Sequence, residues 1–510
     1  MKRNQVALML GTVFMLSAVL TACGAESGSD AGKNGAQSTT AAEDKTPFPL
    51  TLVVNQVGEV PAKDNDIEKA IKAYTNTNLQ IQWIPASAYD EKVNVMIASG
   101  ELPKLIKLNY SNPSMISSLK SDLFWEVGPY LKDYKNLQAQ NKLFYDNIAV
   151  DGKIYGVPLY RDLGRAVIHY RKDWFDALNL QSPKTLDDWY NVIKALTLND
   201  PDKNGKNDTY GLMLEKKYNQ DVSSTLTRIS VSQGGPSKWM VEKGVFTPEF
   251  VTQPFFDTMK LFKRLYDEKL INQDFPVVDT TEVDKAYESG RAGIRISGGN
   301  AQSWQDKIVK VVPSAVIDAA AVEGPSGRRV PGESGNAGFL AIPKSSVKTE
   351  AEFKKVLAFV DKLLDPQMAN LIVKGVEDKH YADKGEFTEP LDRDADLKEV
   401  KPYRDTLPQR GESYNVAKAM IQPDLFRKSQ KIGQTNEQFI VPNPALTLNS
   451  ATFSERGKEL EQMITDAETK FIMGKIDEAG WKAEIEKWKT AGGSKMIQEY
   501  QESYAQSQKK

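Results

Sequence analysis

Cysteine and histidine are nearly absent. The chain of 510 residues carries one cysteine, Cys23, and two histidines, His169 and His380. One thiol excludes an internal disulfide, so an exported protein must be stable through its core alone, which this length allows. The same scarcity excludes a cysteine zinc site, and two histidines far apart in the chain argue against any zinc centre. An excess of either charge is also absent: 66 Lys and Arg stand against 68 Asp and Glu. There is no basic field or long basic run to suit a nucleic acid, and none is expected as a partner. Past residue 22 no apolar run is long enough for a membrane helix. There is no phosphate-binding glycine loop, no nucleophile elbow and no Ser/His/Asp set. Carboxylates are plentiful, so a glycosidase pair stays open.

What is present begins at the N-terminus. Lys2 and Arg3 precede an apolar run, Val6 to Leu20, which is the layout of a targeting segment over residues 1–22. Leu20-Thr21-Ala22-Cys23 reads as a lipobox, with Cys23 becoming a diacylated, palmitate-type N-terminus. An ordinary secretory signal cut after Ala22 is the alternative. Two acyl chains are what stable anchoring needs. Residues 24–46 are rich in Gly, Ala, Ser, Thr and Asn and read as a flexible tether. The expected address is the extracellular face of a cell membrane, lipid-anchored in the Gram-positive manner.

The rest is too long for one hydrophobic core, and two or three domains are expected. Leu50–Val54, Leu79–Ile84 and Lys104–Leu108 read as strands, alternating with helices over Asp66–Tyr74 and Tyr89–Ser99. That order predicts a doubly wound α/β unit with a mostly parallel sheet. Ligands sit beyond the carboxyl ends of such strands. The rule nominates Asn55 and Gln56 after the first strand, and Asn109 and Tyr110 after the third. Each could equally be a surface turn residue.

Residues 151–196 carry the next transition. Ile154–Leu159 is a β-rich run broken by Pro158, and Arg165–Tyr170 reads as a buried strand. Beyond Lys172 the apolar period becomes helical: Trp174, Phe175 and Leu178, then Leu186, Trp189, Tyr190, Ile193 and Leu196. Thr185 and Asp188 have the spacing of a capping box. Three pieces here, Tyr155-Gly156-Val157-Pro158, Tyr170-Arg171-Lys172-Asp173-Trp174-Phe175 and Pro183-Lys184-Thr185-Leu186-Asp187-Asp188-Trp189, resemble the extracellular solute-binding proteins of family 1. Trp481 to Tyr504 resembles the terminal helices of the family's long Gram-positive lipoprotein branch. The resemblance implies a two-lobe periplasmic-binding-protein-like fold (type II), a hinged clamshell with its ligand between the lobes. It also implies ABC importer permeases as partners, with the ATPase on other chains. The expected first lobe is residues 47–158 plus 339–375, and the second is 159–338 plus 376–510. A monomer is expected.

After the second helix of this stretch comes Asp200-Pro201-Asp202-Lys203-Asn204-Gly205-Lys206-Asn207-Asp208. Oxygen side chains at the first, third, fifth and ninth places, with glycine at the sixth, match the start of an EF-hand loop. Asp200, Asp202, Asn204 and Asp208 would bring side-chain oxygens and Lys206 a backbone carbonyl, holding a structural Ca2+. The twelfth place is Gly211, so the bidentate glutamate is missing. The alternative is a plain Asp/Asn/Gly turn into a strand at Tyr210. Some sugar-binding members of the resembled family carry a similar calcium loop. No organic cofactor is expected.

Sugars present hydroxyl edges and apolar faces, so a sugar cleft needs aromatic platforms beside planar polar groups. Trp83 lies in a strand, and Trp174, Trp189, Trp481 and Trp488 lie on helix stripes, as core residues do. Trp125 sits in a run like the family's structural turn. Trp239 and Trp304 remain as platforms, with Tyr160 and Arg161 just past the first crossing; arginine would suit an acidic sugar. Three functions compete: a substrate-binding lipoprotein for an oligosaccharide, a secreted carbohydrate enzyme such as a glycosidase or polysaccharide lyase, and a surface adhesion or sensing protein. The lipobox, tether and lobe crossings together favour the first, which is not an enzyme.

Overall fold

The computed structural model describes residues 46–56, 59–109, 113–409 and 417–508. The signal segment, Cys23, nearly all of the tether, and Tyr110 lie outside them. Nine strands build two principal sheets: β1 (Phe48–Asn55), β2 (Thr77–Ile84), β3 (Leu105–Leu108), β4 (Gly156–Tyr160), β5 (Val167–Arg171), β6 (Tyr210–Leu212), β7 (Ala292–Ser297), β8 (Ile317–Ala321) and β9 (Asn336–Ala341).

The first sheet runs β2-β1-β3-β9-β4. β1 is parallel to both β2 and β3, while β9 enters antiparallel between β3 and β4. Both faces are covered, as a parallel sheet requires. Leu50, Leu52 and Val54 face one core with the helix Glu350–Leu363. Val53, Ile106 and Leu108 face another with Tyr89 and Val93 of the helix Tyr89–Ser99.

The second sheet runs β8-β5-β7-β6. Its core gathers Trp174, Trp189, Phe255 and Phe262, then Phe471, Trp481 and Trp488 from the C-terminal helices. All five tryptophans read as core from their spacing are buried or packed against a core. The helix Leu186–Leu198 starts on the expected capping box: Thr185 Oγ1 accepts from Asp188 N at 3.0 Å, and Asp188 accepts from Thr185 N at 2.9 Å.

One boundary differs from expectation. Residues past 376 are expected in the second lobe, yet Val400, Tyr403 and Leu407 are fully buried in the first lobe's core. Leu425 and Ile432 are the next to pack on the second lobe. No helix among the described residues is long and apolar enough to cross a membrane.

Candidate ligand cleft

The chain passes between the sheets at residues 161–166, at 330–335, and between Ile421 and Leu425. The first two passages lie side by side: Arg161 N donates to Gly335 O at 2.8 Å, and Glu333 N to Leu163 O at 3.0 Å. A later segment seals them. Buried Asn436 donates through Nδ2 to Gly164 O at 2.9 Å and Ala166 O at 2.8 Å, and Ile440–Val441 pairs with Val330–Pro331.

The register brings four strand ends of the first sheet to these passages: the carboxyl ends of β1, β3 and β4 and the amino end of β9, where Tyr160 opposes Asn336. The second sheet presents the amino end of β5 and the carboxyl ends of β7 and β8. Asn55 and Asn109 are half-buried at these ends. Asn55 Oδ1 accepts from Lys107 Nζ, and Asn109 Nδ2 donates to Asp90 Oδ1 at 2.7 Å. Gln56 N donates to Ile84 O, which ties it to the end of β2. Gly338 is needed where β9 meets β3: its φ is +96°, and a Cβ there would stand 2.6 Å from Leu108 O and 2.9 Å from Lys107 Cε.

Charge concentrates here. Lys107, 7% exposed within the wholly buried β3, is pushed down to about 8 by burial first and by the Arg161 charge second. Arg161 is open to solvent at the start of the first passage. Lost solvation first, then Arg165, lowers its pKa. Glu333 lies 3.3 Å from Arg165 and 3.5 Å from Arg228. Arg228 also donates to Ile296 O and Arg165 O.

Tyr160 and the two expected platforms are elsewhere. Tyr160 is buried in the first lobe, edge-on to Phe144 at 5.2 Å, with its hydroxyl 3.3 Å from that of Tyr145. Trp239 lies in the hairpin Trp239–Glu242/Val245–Pro248, packed edge-on at 5.1 Å on Tyr500 of the last helix. Trp304 is not in a loop. Asn300 caps the helix Ala301–Ile308, which turns Trp304 inward, edge-on to Tyr287 at 5.2 Å and 8% exposed. Asn55, Gln56, Asn109 and Arg161 thus lie at or just past strand ends of the first sheet, whereas Tyr160 and Trp304 are buried within the lobes and half-buried Trp239 packs on the second lobe's core. Lys107, Arg165, Arg228 and Glu333 were missed. The one local signal was a lysine inside the apolar run Leu105-Ile106-Lys107-Leu108.

The acidic loop winds through positive φ at Asp200, Lys203 and Gly205. Asn204 Nδ2 reaches Asp202 Oδ2 at 2.9 Å and Asp208 Oδ1 at 3.0 Å. Asp202 is pushed up by lost solvation first and by its hydrogen bond with Asp200, the effect of crowded like charges. At the twelfth place Gly211 donates its N–H to Thr197 Oγ1. Among the described residues, no three His, Cys, Asp or Glu side chains converge as a metal cage. A concavity of about 680 Å³ also lies on β1 and β2, beside Val60, Trp83 and Leu102; no residue of the passages or the second lobe lines it.

Two α/β lobes joined by repeated passages, with polar strand ends meeting at them, define a binding clamshell. The chain belongs to the family of bacterial extracellular solute-binding proteins, whose profile matches residues 59–370. It is 38% identical over 510 residues to the polygalacturonan/rhamnogalacturonan-binding protein YtcQ of Bacillus subtilis (strain 168), covering 98% of each chain. It is 36% identical over 456 residues to lipoprotein LipO of the same organism, covering 88% of this chain and 90% of that one. Among solved structures it resembles an HMO-binding, ABC-transporter-associated solute-binding protein from Bifidobacterium longum infantis. The TM-score is 0.70 at 16% identity, covering 90% of this chain and 99% of that one.

Proposed function

We propose that this protein captures an oligosaccharide, a fragment of a larger polysaccharide, between its two lobes and hands it to the permeases of an ABC importer without altering it. The observation that carries this reading is the meeting of Asn55, Asn109, Lys107 and Arg161 at the passages between two sheets. Planar amides and cations there suit hydroxyl-rich ligands. The binding activity named for YtcQ supports the carbohydrate class. Cys23, in its lipobox, would hold the protein on the outer face of the membrane, a reading that LipO's name supports. Tryptophan fluorescence titration against an oligosaccharide panel tests the class, with product analysis after incubation. Saturable binding with no turnover is the expected result. Cleavage of the sugar would favour the glycosidase or lyase reading, and binding of peptides alone would overturn both.

A structural Ca2+ in the loop of Asp200, Asp202, Asn204, Lys206 and Asp208 is a second element of the proposal. Asp202 and Asp208 accept from the Asn204 side-chain amide while Asp200 accepts from its backbone N–H, and a cation there would relieve the crowding at Asp202. It would brace the second lobe and supply no chemistry.

A further inference from the structure

We propose that Lys107 and Arg161 form an anion subsite that receives a carboxylate of the captured sugar, so that the ligand is a uronic-acid oligosaccharide and Lys107 is a specificity-determining residue. This rests on the carbohydrate reading above and narrows it.

The argument starts from how this protein treats its buried cations. Arg171 pairs with Asp173 at 2.6 Å. Arg295 pairs with Glu215 and Asp284, both at 3.0 Å. Arg228 has Glu333. Lys107 is comparably buried and has none: its ammonium donates to the neutral Asn55, and no carboxylate of a described residue lies within 4.0 Å. Burying a charge without a partner is costly, and an anion supplied by a ligand would offset that cost. The charge that acts on it most strongly is another cation, Arg161, whose guanidinium makes no ion pair with a described residue. Two neighbouring cations that repel each other at the strand ends of one sheet are unfavourable when empty and favourable once an anion sits between them.

The donors also fit the anion. The ammonium has three N–H bonds and spends one on Asn55. The guanidinium offers a planar fork that matches a carboxylate's two oxygens. Asn55 and Asn109 flank the pair and would take the hydroxyls beside a uronate carboxyl. The other groups facing Lys107 are the Tyr89 ring, 5.9 Å away, and Asp90, whose carboxylate is engaged by Asn109. Asp90 softens the repulsion without cancelling it, since the ammonium remains depressed to about 8. Acid binding should therefore weaken as pH rises from 7 to 9, because the ligand carboxylate stays charged while the free protein's lysine loses its proton.

The experiment compares trigalacturonate with its methyl ester, the same sugar without the charge. Both are titrated into wild type, Lys107→Met, Lys107→Arg and Arg161→Gln at pH 7 and pH 9. Wild type should prefer the acid by about tenfold or more at pH 7. The acid-to-ester ratio should collapse in Lys107→Met and shrink in Arg161→Gln. Lys107→Arg should keep it at pH 9, where wild type loses part of it. Lys107→Met should melt no lower than wild type, since a buried unpaired charge is gone. Equal wild-type affinity for acid and ester, an unchanged ratio in Lys107→Met, or a lower melting point in that variant would overturn the subsite. Binding of a neutral oligosaccharide with no response to either probe would overturn it too, leaving the carbohydrate reading intact. No response to any saccharide would overturn the carbohydrate reading itself.

Discussion

Single buried ionisable groups set the terms for this protein. Glu468 is fully buried on the helix Ala451–Ile472 and accepts from Asn219 Nδ2 at 3.0 and 3.1 Å. Thr227 and Lys238 hold that amide from its other side, and Lys238 is paired with Glu249 at 2.8 Å. One cation and one carboxylate already balance, so a second carboxylate charge would be uncompensated. Burial accordingly pushes Glu468 up to about 8 from 4.5. The folded state thus holds a proton that the unfolded chain releases. Its contribution is complete below pH 4.5 and is lost as pH rises through about 8. Glu468→Gln keeps the shape without the titration. Its melting temperature should fall less than that of wild type between pH 5 and 8, with a gain of roughly 4 kcal/mol at pH 8 if the whole shift is realised. Parallel melting curves across that range would show that the carboxyl is already ionised in the fold. None of this could be read locally, because Asn219, Lys238 and Glu468 are far apart in the chain. The aromatic platforms failed for the same reason. Trp239 meets Tyr500, and Trp304 meets Tyr287, through contacts that residue spacing does not encode.

Elements with caps and clear periods were legible. The helix Tyr89–Ser99 has the bounds expected from its apolar stripe and closing glycine, and the Thr185 box formed as spaced. The strand β8, Ile-Asp-Ala-Ala-Ala, was not legible, because small residues give no alternation. The helix Asp424–Asn436 was missed as well, since it is mostly polar and has few apolar anchors. Yet that helix delivers Asn436 to the passages. Asn436→Ala would strip two buried carbonyls of their donor, so it should cost about 2–3 kcal/mol by chemical denaturation. A cost below about 0.5 kcal/mol would mean that the segment 436–441 does not pin the hinge. The acidic loop gives the other element-scale test. Calcium at a hundred times its dissociation constant should stabilise the fold by about 2.7 kcal/mol. Asp202→Ala should erase the difference between calcium and chelator in thermal melting, and equal wild-type melting in both would leave only an Asp/Asn turn.

At the scale of the whole molecule, length and the alternation of strands and helices revealed two units, but not where the chain last leaves the first. Val400, Tyr403 and Leu407 are apolar, and apolarity alone does not say which of two cores will bury a residue. The hinge is where the two units are coupled, and its most charged piece is Glu333. That carboxylate sits on the second passage, faced by Arg165 on the first and by Arg228 from the second lobe. Burial outweighs attraction at both ends. Arg228 is pushed down to about 10, and Glu333 is raised, by desolvation in each case. Such a bridge adds little net stability, but breaking one side strands the other charge. Glu333→Gln should therefore cost about 3 kcal/mol, and adding Arg228→Met should recover part of it. If the bridge also sets the lobe angle, the two variants will differ in shape as well as stability. X-ray scattering should then give Glu333→Gln a broader distance distribution than wild type without ligand, and saturating oligosaccharide should contract both. Additive costs in the double variant, with unchanged scattering, would show that Glu333 is a bystander and that the hydrogen bonds of Asn436 and the paired passages hold the hinge alone.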